Sequence, residues 1–256
     1  MMTTLSDETR TVIEDTASRL GVVPDVHSED FIFRFLYEGS IFPSKQEAAA
    51  HYFSDGANSA RQLADLVARV CRLNQKPITL LEFASGFGCV TRHLKHVLPA
   101  STIAACDIHP EAIRFLRESL QTDAIQSNAV PEQLHVGRKF DVVFALSFFS
   151  HMPKATFARW LQQLAAAVAS GGFLIFTTHG QVTRDVILKD AKLDPDGFFF
   201  SPASEQKDLD SAEYGTTISH PRYVLKYLFE LPGAQLRLFQ EAFWWHHQDL
   251  YVVQIN

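Results

Sequence analysis

Apolar residues recur along this chain in two rhythms, and the change between them comes near Pro77. Before it the spacing is helical. Residues 5–20 open with Ser6, carry acidic residues in the first turn and close at Gly21, the start and stop signals of a helix. Residues 30–37 read as a second short helix, and 44–53 as a third, broken by Ser54-Asp55-Gly56. Residues 59–73 make a fourth, with Leu63, Leu66, Val67 and Val70 on one face. Residues 1–75 are therefore expected to form a helical N-terminal cap. After Pro77 strand-length apolar runs take over, at 78–83, 102–106, 124–127, 140–146 and 173–178. Helical segments separate them at 90–97, 110–120 and 153–169, the last ended by Gly171-Gly172. Such alternation specifies a mostly parallel sheet covered on both faces, a doubly wound α/β core over residues 76–256. The apolar runs 236–244 and 249–255 lie too close for a helical crossover, so they are expected to pair as an antiparallel hairpin.

Residues 181–215 are too long for a simple connection and read as a lid insertion. Their charged residues are mostly acidic, and Phe198, Phe199 and Phe200 either anchor the excursion or face a substrate. Composition narrows the partners further. The net charge of −6 is poor electrostatics for gripping a phosphate backbone, so no nucleic-acid partner is expected. The apolar runs are too short to span a bilayer, and no secretory leader is visible, which leads to the expectation of a soluble cytoplasmic protein without a membrane partner. Cys71, Cys89 and Cys106 have no metal-ligand spacing and read as reduced thiols. Oligomeric state is not legible.

The chemistry concentrates where the first strand runs into small residues, Ala84-Ser85-Gly86-Phe87-Gly88, before a helix. Small residues let backbone amides approach a ligand closely. Asp107 ends the next strand, 25 positions after Glu82, where a carboxylate can accept hydrogen bonds from both ribose hydroxyls of a nucleoside. A nicotinamide fingerprint would place glycine where Thr91 stands, and no Lys-Ser or Lys-Thr pair follows to make a phosphate loop.

On these residues the chain resembles the class I S-adenosylmethionine-dependent methyltransferases, over roughly residues 46–255. Glu82 to Gly88 resembles the family's first motif, with Ala84 in place of its first glycine. The resemblance implies a seven-stranded sheet ending in the antiparallel hairpin. It assigns Glu82, Ala84, Ser85, Gly86 and Gly88 to the cofactor turn, Asp107 to the ribose and Ile108 to the adenine face. Asn128 and Ala129 fall beside the adenine amine, and Leu146 in the fourth motif. Tyr52 and Gly56 lie in a helical segment over the methionine end. The implied cofactor is S-adenosyl-L-methionine, with S-adenosyl-L-homocysteine as product. The stretches Thr177-Thr178-His179-Gly180 and Glu213-Tyr214-Gly215-Thr216-Thr217 resemble the small-molecule subgroup, which implies a small-molecule acceptor.

A sulfonium methyl is already electrophilic, so alignment and exclusion of water come first, with Tyr52, Phe87 and Phe148 as candidate cation–π partners. Two histidines follow strand ends and are candidate general bases, His151 and His179. His151 equally well organises the turn before Met152-Pro153, and His220 marks a helix start. His246 and His247 are adjacent on a predicted strand turn and point apart, so no metal site is expected. Two rival readings stay open. One is a non-catalytic protein that binds S-adenosylmethionine or its product; the other is an NAD(P)-dependent oxidoreductase, disfavoured by Thr91 and the hairpin.

Overall fold

A computed structural model describes residues 5–73, 76–204, 206 and 208–256. Residues 1–4, 74 and 75 of the expected cap, and Glu205 and Lys207 of the excursion, lie outside the described residues. The helices are α1 (Asp7–Leu20), α2 (Phe31–Glu38), α3 (Lys45–Arg69), α4 (Thr91–Val97), α5 (Pro110–Glu118), α6 (Lys154–Ala166), α7 (Gln181–Val186) and α8 (Pro221–Glu230). The strands are β1 (Thr79–Phe83), β2 (Thr102–Asp107), β3 (Asp123–Gln126), β4 (Phe140–Ala145), β5 (Val168–His179), β6 (Phe198–Ser201), β7 (Thr216–Ser219), β8 (Ala234–Trp244) and β9 (Gln248–Ile255). Seven strands form one sheet in the order β3-β2-β1-β4-β5-β9-β8, and β6 pairs with β7 in a separate ribbon. The pairs β2/β3, β1/β4 and β4/β5 are parallel, while β5/β9 and β9/β8 are antiparallel. The doubly wound, mostly parallel sheet with its reversed last pair is as the alternation of runs requires.

The chain divides into two compact units, one of Met1–Pro77 and Ala84–Ser127, the other of Ile78–Phe83 and Asn128–Asn256. In the first, Ser6 caps α1 by accepting from the Thr9 amide, and Gly21 ends it in the left-handed conformation. Asp30 caps α2 and Ser44 caps α3 in the same way. Ile13, Ala17, Phe33, Tyr37, Ala49, Tyr52 and Phe53 close one buried cluster. A second, around Phe87, Ile113, Phe115, Leu116 and Leu120, packs α5 on its strands. In the second unit the aromatic core runs through Phe149, Phe157, Phe176 and Tyr251, with ring centroids 4.9–5.0 Å apart along the chain of contacts.

Two sequence expectations give way to tertiary packing. The break at Ser54-Asp55-Gly56 is absent: α3 continues unbroken from Lys45 to Arg69. Glycine inside a helix costs about 1 kcal/mol relative to alanine, but here it is what lets α3 approach the segment after β1. A Cβ on Gly56 would stand 2.1 Å from the Cys89 carbonyl oxygen. Likewise Gly171-Gly172 does not stop a helix. α6 ends at Ala166, and β5 already runs through both glycines, with Gly171 at φ +80° and the β4/β5 register shifting between Phe140 and Val142. Glycine accommodates this irregular backbone because it lacks a Cβ.

The contact at Gly56 sets a testable cost. Gly56→Ala should destabilise the protein by about 1–3 kcal/mol, because the obstructing atom is backbone and cannot swing away; chemical denaturation of the two proteins at equal m-value would measure it.

Candidate functional site

Most of the predicted site residues lie at or just past the carboxyl ends of strands, with Tyr52 and Gly56 in α3, and they fall into two sets that belong to different units. In the first unit, three residues of the turn after β1 take positive φ: Ala84 (+56°), Gly86 (+54°) and Gly88 (+79°). For Ala84, in the place of the family's first glycine, this conformation costs about 1–2 kcal/mol. The turn is held by β2. Both the amide and the hydroxyl of Ser85 reach the Cys106 carbonyl, at 3.1 and 3.4 Å. Gly86 N–H donates to Asp107 Oδ2 at 2.8 Å, while Asp107 Oδ1 accepts from the His109 amide at 3.0 Å and lies 2.8 Å from His109 Nδ1. Asp107 is 5% exposed, so its carboxylate is fixed by hydrogen bonds in a nearly dry setting. No atom lies within 4 Å of where a Gly86 Cβ would be, which leaves space beside the turn. Ile108 is half-buried next to this carboxylate.

Tyr52 and Phe87 are both buried, and their rings are packed against other side chains of the first unit. Tyr52 is fully buried, its hydroxyl donating to Asp30 Oδ2 at 2.5 Å and its ring edge-on to Phe33 and Phe53. Burial and the neighbouring Asp30 carboxyl hold its phenol well above the usual range. Phe87 is buried beneath the imidazole of His27, stacked at 4.7 Å.

In the second unit Glu82 is buried within β1, in register with Phe144 of β4. Leu146 is half-buried just past β4, and Ala129 is exposed beyond β3. Asn128 uses its Oδ1 to accept from the Val130 amide at 2.9 Å. Phe148 packs edge-on to Phe83 and Trp160. The two candidate histidines do come together, with ring centroids 6.4 Å apart.

Around them lies a directional network that the sequence did not signal. The Thr177 hydroxyl donates to Gln248 Oε1 at 2.6 Å, which makes the other end of that amide a donor. Gln248 Nε2 donates to Ser147 Oγ at 2.8 Å and towards His179 Nε2 at 3.3 Å. Ser147 Oγ, having accepted from Gln248, meets Ser150 Oγ at 2.8 Å, and the Ser147 amide donates to Thr177 Oγ1. Ser147 itself sits at φ +57°. In this network His179 Nε2 is an acceptor, so its proton belongs on Nδ1, which is buried with only the Thr217 backbone as a loose neighbour. Burial, then the His151 and His247 rings, pushes the His179 imidazole down to about 3. It is a hydrogen-bonded neutral ring and a weak base.

His151 has the opposite arrangement. Its Nδ1 lies 2.8 Å from the Gly215 carbonyl, which can only accept, so Nδ1 carries the proton and the basic nitrogen of the neutral ring is Nε2. Tyr214 stacks flat on this imidazole at 4.4 Å, and the Gly215 amide donates back to the His151 carbonyl. The His151 amide closes a turn on the Phe148 carbonyl at 3.1 Å, and Pro153, expected in the first turn of the helix, stands instead at the N-cap of α6. His220 starts α8 by accepting from the Arg222 amide through Nδ1. Among the described residues, no group of three or more His, Cys, Asp or Glu side chains is arranged to hold a metal ion.

Gln248 and its neighbour Asp249 open a strand that continues with the run Leu250–Val253, and that pair of polar residues is the signal that could have marked them in the sequence. Asp249 is completely buried, accepts from the Ala242 amide at 3.0 Å through Oδ1, and has no partner for Oδ2. Burial pushes its carboxyl up to about 6.

Residues 81–174 match a family described as a methyltransferase domain. No curated protein matches the sequence. Among solved structures, magnesium protoporphyrin IX methyltransferase from Synechocystis PCC 6803 with bound SAH superposes with a TM-score of 0.61 at 14% identity, over 96% of this chain and all of that one. A DhpI–SAM–HEP complex gives 0.54 at 20% identity, over 99% of this chain and 100% of that one. SAM-bound CalS10, an amino pentose methyltransferase from Micromonospora echinaspora, gives 0.58 at 13% identity, covering 85% of this chain and 99% of that one. The fold is the one these methyltransferase structures share, and the mostly parallel seven-stranded sheet with its terminal antiparallel hairpin is as the resemblance implied.

The buried ionisable groups predict how stability varies with pH. His179 and His93 are held near 3 when folded but protonate at about 6.5 when unfolded, so the unfolded chain binds more protons and stability is lost as the pH falls through that window. Asp249 works against this: folded, it keeps its proton up to about 6, whereas unfolded it releases it near 3.8, so its contribution falls as pH rises. Thermal midpoints measured between pH 4 and 7 should therefore climb with pH, and Asp249→Asn should make the climb steeper.

Proposed function

We propose that the protein transfers a methyl group from S-adenosyl-L-methionine to a small-molecule acceptor. The observation that carries the reading is the Asp107 carboxylate, nearly dry at the end of β2 and bonded to the Gly86 amide of the turn after β1. A fixed carboxylate in that place accepts hydrogen bonds from ribose hydroxyls, and the open side of Gly86 leaves room for the nucleoside. Similar folds hold SAM or SAH, which favours that cofactor over a nicotinamide. When bound, it supplies an electrophilic methyl group on a sulfonium.

The chain's own residues then have three tasks. Ala84, Ser85, Gly86 and Gly88 shape the turn, Asp107 orients the ribose, and Ile108, Asn128 and Ala129 meet the adenine, with Glu82 and Leu146 in support. Gly56 sets the distance between α3 and this turn. Tyr52 maintains the cap, since its hydroxyl and ring are already committed to it. His151 takes the proton from the acceptor's hydroxyl, thiol or ammonium group through Nε2, its ring aimed by the Gly215 carbonyl and Tyr214. His179 and Gln248 provide polar lining rather than the base, because the His179 lone pair is taken and its basicity is low. The excursion over residues 181–215 acts as a lid whose last residues orient His151.

Calorimetric titration with S-adenosylmethionine and S-adenosylhomocysteine, with NAD as control, tests the cofactor: binding of the first two alone is expected, and a response to NAD alone would sink the reading. Asp107→Ala should lose hydrogen bonds worth roughly 1.5–3 kcal/mol each, seen as at least a tenfold weaker S-adenosylhomocysteine affinity. Once an acceptor is found by screening, His151→Gln should lower turnover by about 10²–10⁴ with cofactor affinity retained; an unchanged rate would remove His151 as the base.

A further inference from the structure

Residues 22–29 link α1 to α2 without helix or strand, and two side chains fasten this strap to the turn after β1. Arg92 lies buried in the first turn of α4. Its Nε donates to the Gly88 carbonyl at 3.1 Å, and its Nη1 donates to the carbonyls of Val23 and Asp25 at 3.0 and 2.9 Å. Its Nη2 donates to the Tyr52 hydroxyl at 3.4 Å, and the same guanidinium lies over the Tyr52 and Phe53 rings. Tyr52 passes the connection to Asp30, the residue that caps α2 where the strap ends. Separately, the His27 ring of the strap stacks on Phe87 in the middle of the turn. One planar fork therefore bonds the turn on one edge and the strap on the other, which a lysine ammonium, a point donor on a flexible stem, does not reproduce.

From this geometry we infer that Arg92 is a positioning residue for cofactor binding, joining the strap of residues 22–29 to the turn at Gly86–Gly88 so that the two order together. The inference rests on the methyltransferase reading, which makes that turn the cofactor's seat. Two segments tied through one side chain share the cost of ordering, so a ligand that fixes the turn also fixes the strap.

Hydrogen exchange and S-adenosylhomocysteine titration of the wild type and of Arg92→Lys test this at a temperature where both are folded. In the wild type, S-adenosylhomocysteine should slow exchange of the amides of residues 22–29. Arg92→Lys should bind at least fivefold more weakly and lose that strap protection, with secondary structure retained. A lysine variant that is merely less heat-stable, yet binds with wild-type affinity and still protects the strap, would overturn the inference. Should Arg92→Lys not fold, His27→Ala, which disturbs no buried charge, decides in its place: weaker affinity with reduced strap protection supports the coupling, and wild-type behaviour in both overturns it. A wild type that binds no S-adenosylhomocysteine would instead retire the methyltransferase reading itself, and this inference with it.

Discussion

The carboxylate of Asp107 and the amide of Gly86 meet at 2.8 Å, and much of the first unit is arranged so that this bond can form. For the amide to point at the end of β2, the chain leaving β1 must turn through three positive-φ residues within five positions. Gly86 and Gly88 adopt that geometry without strain, while Ala84 adopts it at a cost that the surrounding bonds outweigh. The same turn then has to pass under α3, which comes so close to the Cys89 carbonyl that only glycine fits at position 56. A carboxylate this dry is stable because charged hydrogen bonds from backbone amides replace its lost hydration.

The two units solve the problem of buried polarity in different ways. In the first, the buried guanidinium of Arg92 donates to three carbonyls and to the Tyr52 phenol, which in turn donates to the Asp30 carboxyl. Leaving any one of these groups unpaired would cost far more than the intact network contributes, so the arrangement specifies one geometry for the cap. In the second, the polar run around His179 is neutral. Thr177, Gln248, Ser147 and Ser150 form a one-way run of donors and acceptors, and His179 is drawn into it as an uncharged ring. That environment suppresses basicity at His179. His151 is instead oriented by a backbone carbonyl and an aromatic face, which fix its tautomer with the proton on Nδ1. Equal residue types, after one strand and at the end of its neighbour, thereby acquire unequal chemistry.

Local pattern determined the order of elements, the parallel sheet with its reversed hairpin, the small-residue turn and the acid at the end of the second strand. These depend on periodicity and on the φ preferences of individual residues, both of which a sequence displays directly. The continuity of α3 through Gly56 and the passage of β5 through Gly171-Gly172 were not legible, because a glycine reads as a stop until the backbone pressing against it is known. The sequence pointed to His179 before His151 as the base, because only His151 had a turn to organise, and it did not reveal Gln248, Thr177 or Arg92. Their roles come largely from partners 40 to 101 positions away in the chain, and a hydrogen bond's direction is set by those partners rather than by the residue alone. The sequence by itself determined which backbone path the chain takes; only the tertiary structure decided which buried groups are charged, which are neutral and where each proton sits, because desolvation and pairing act through space.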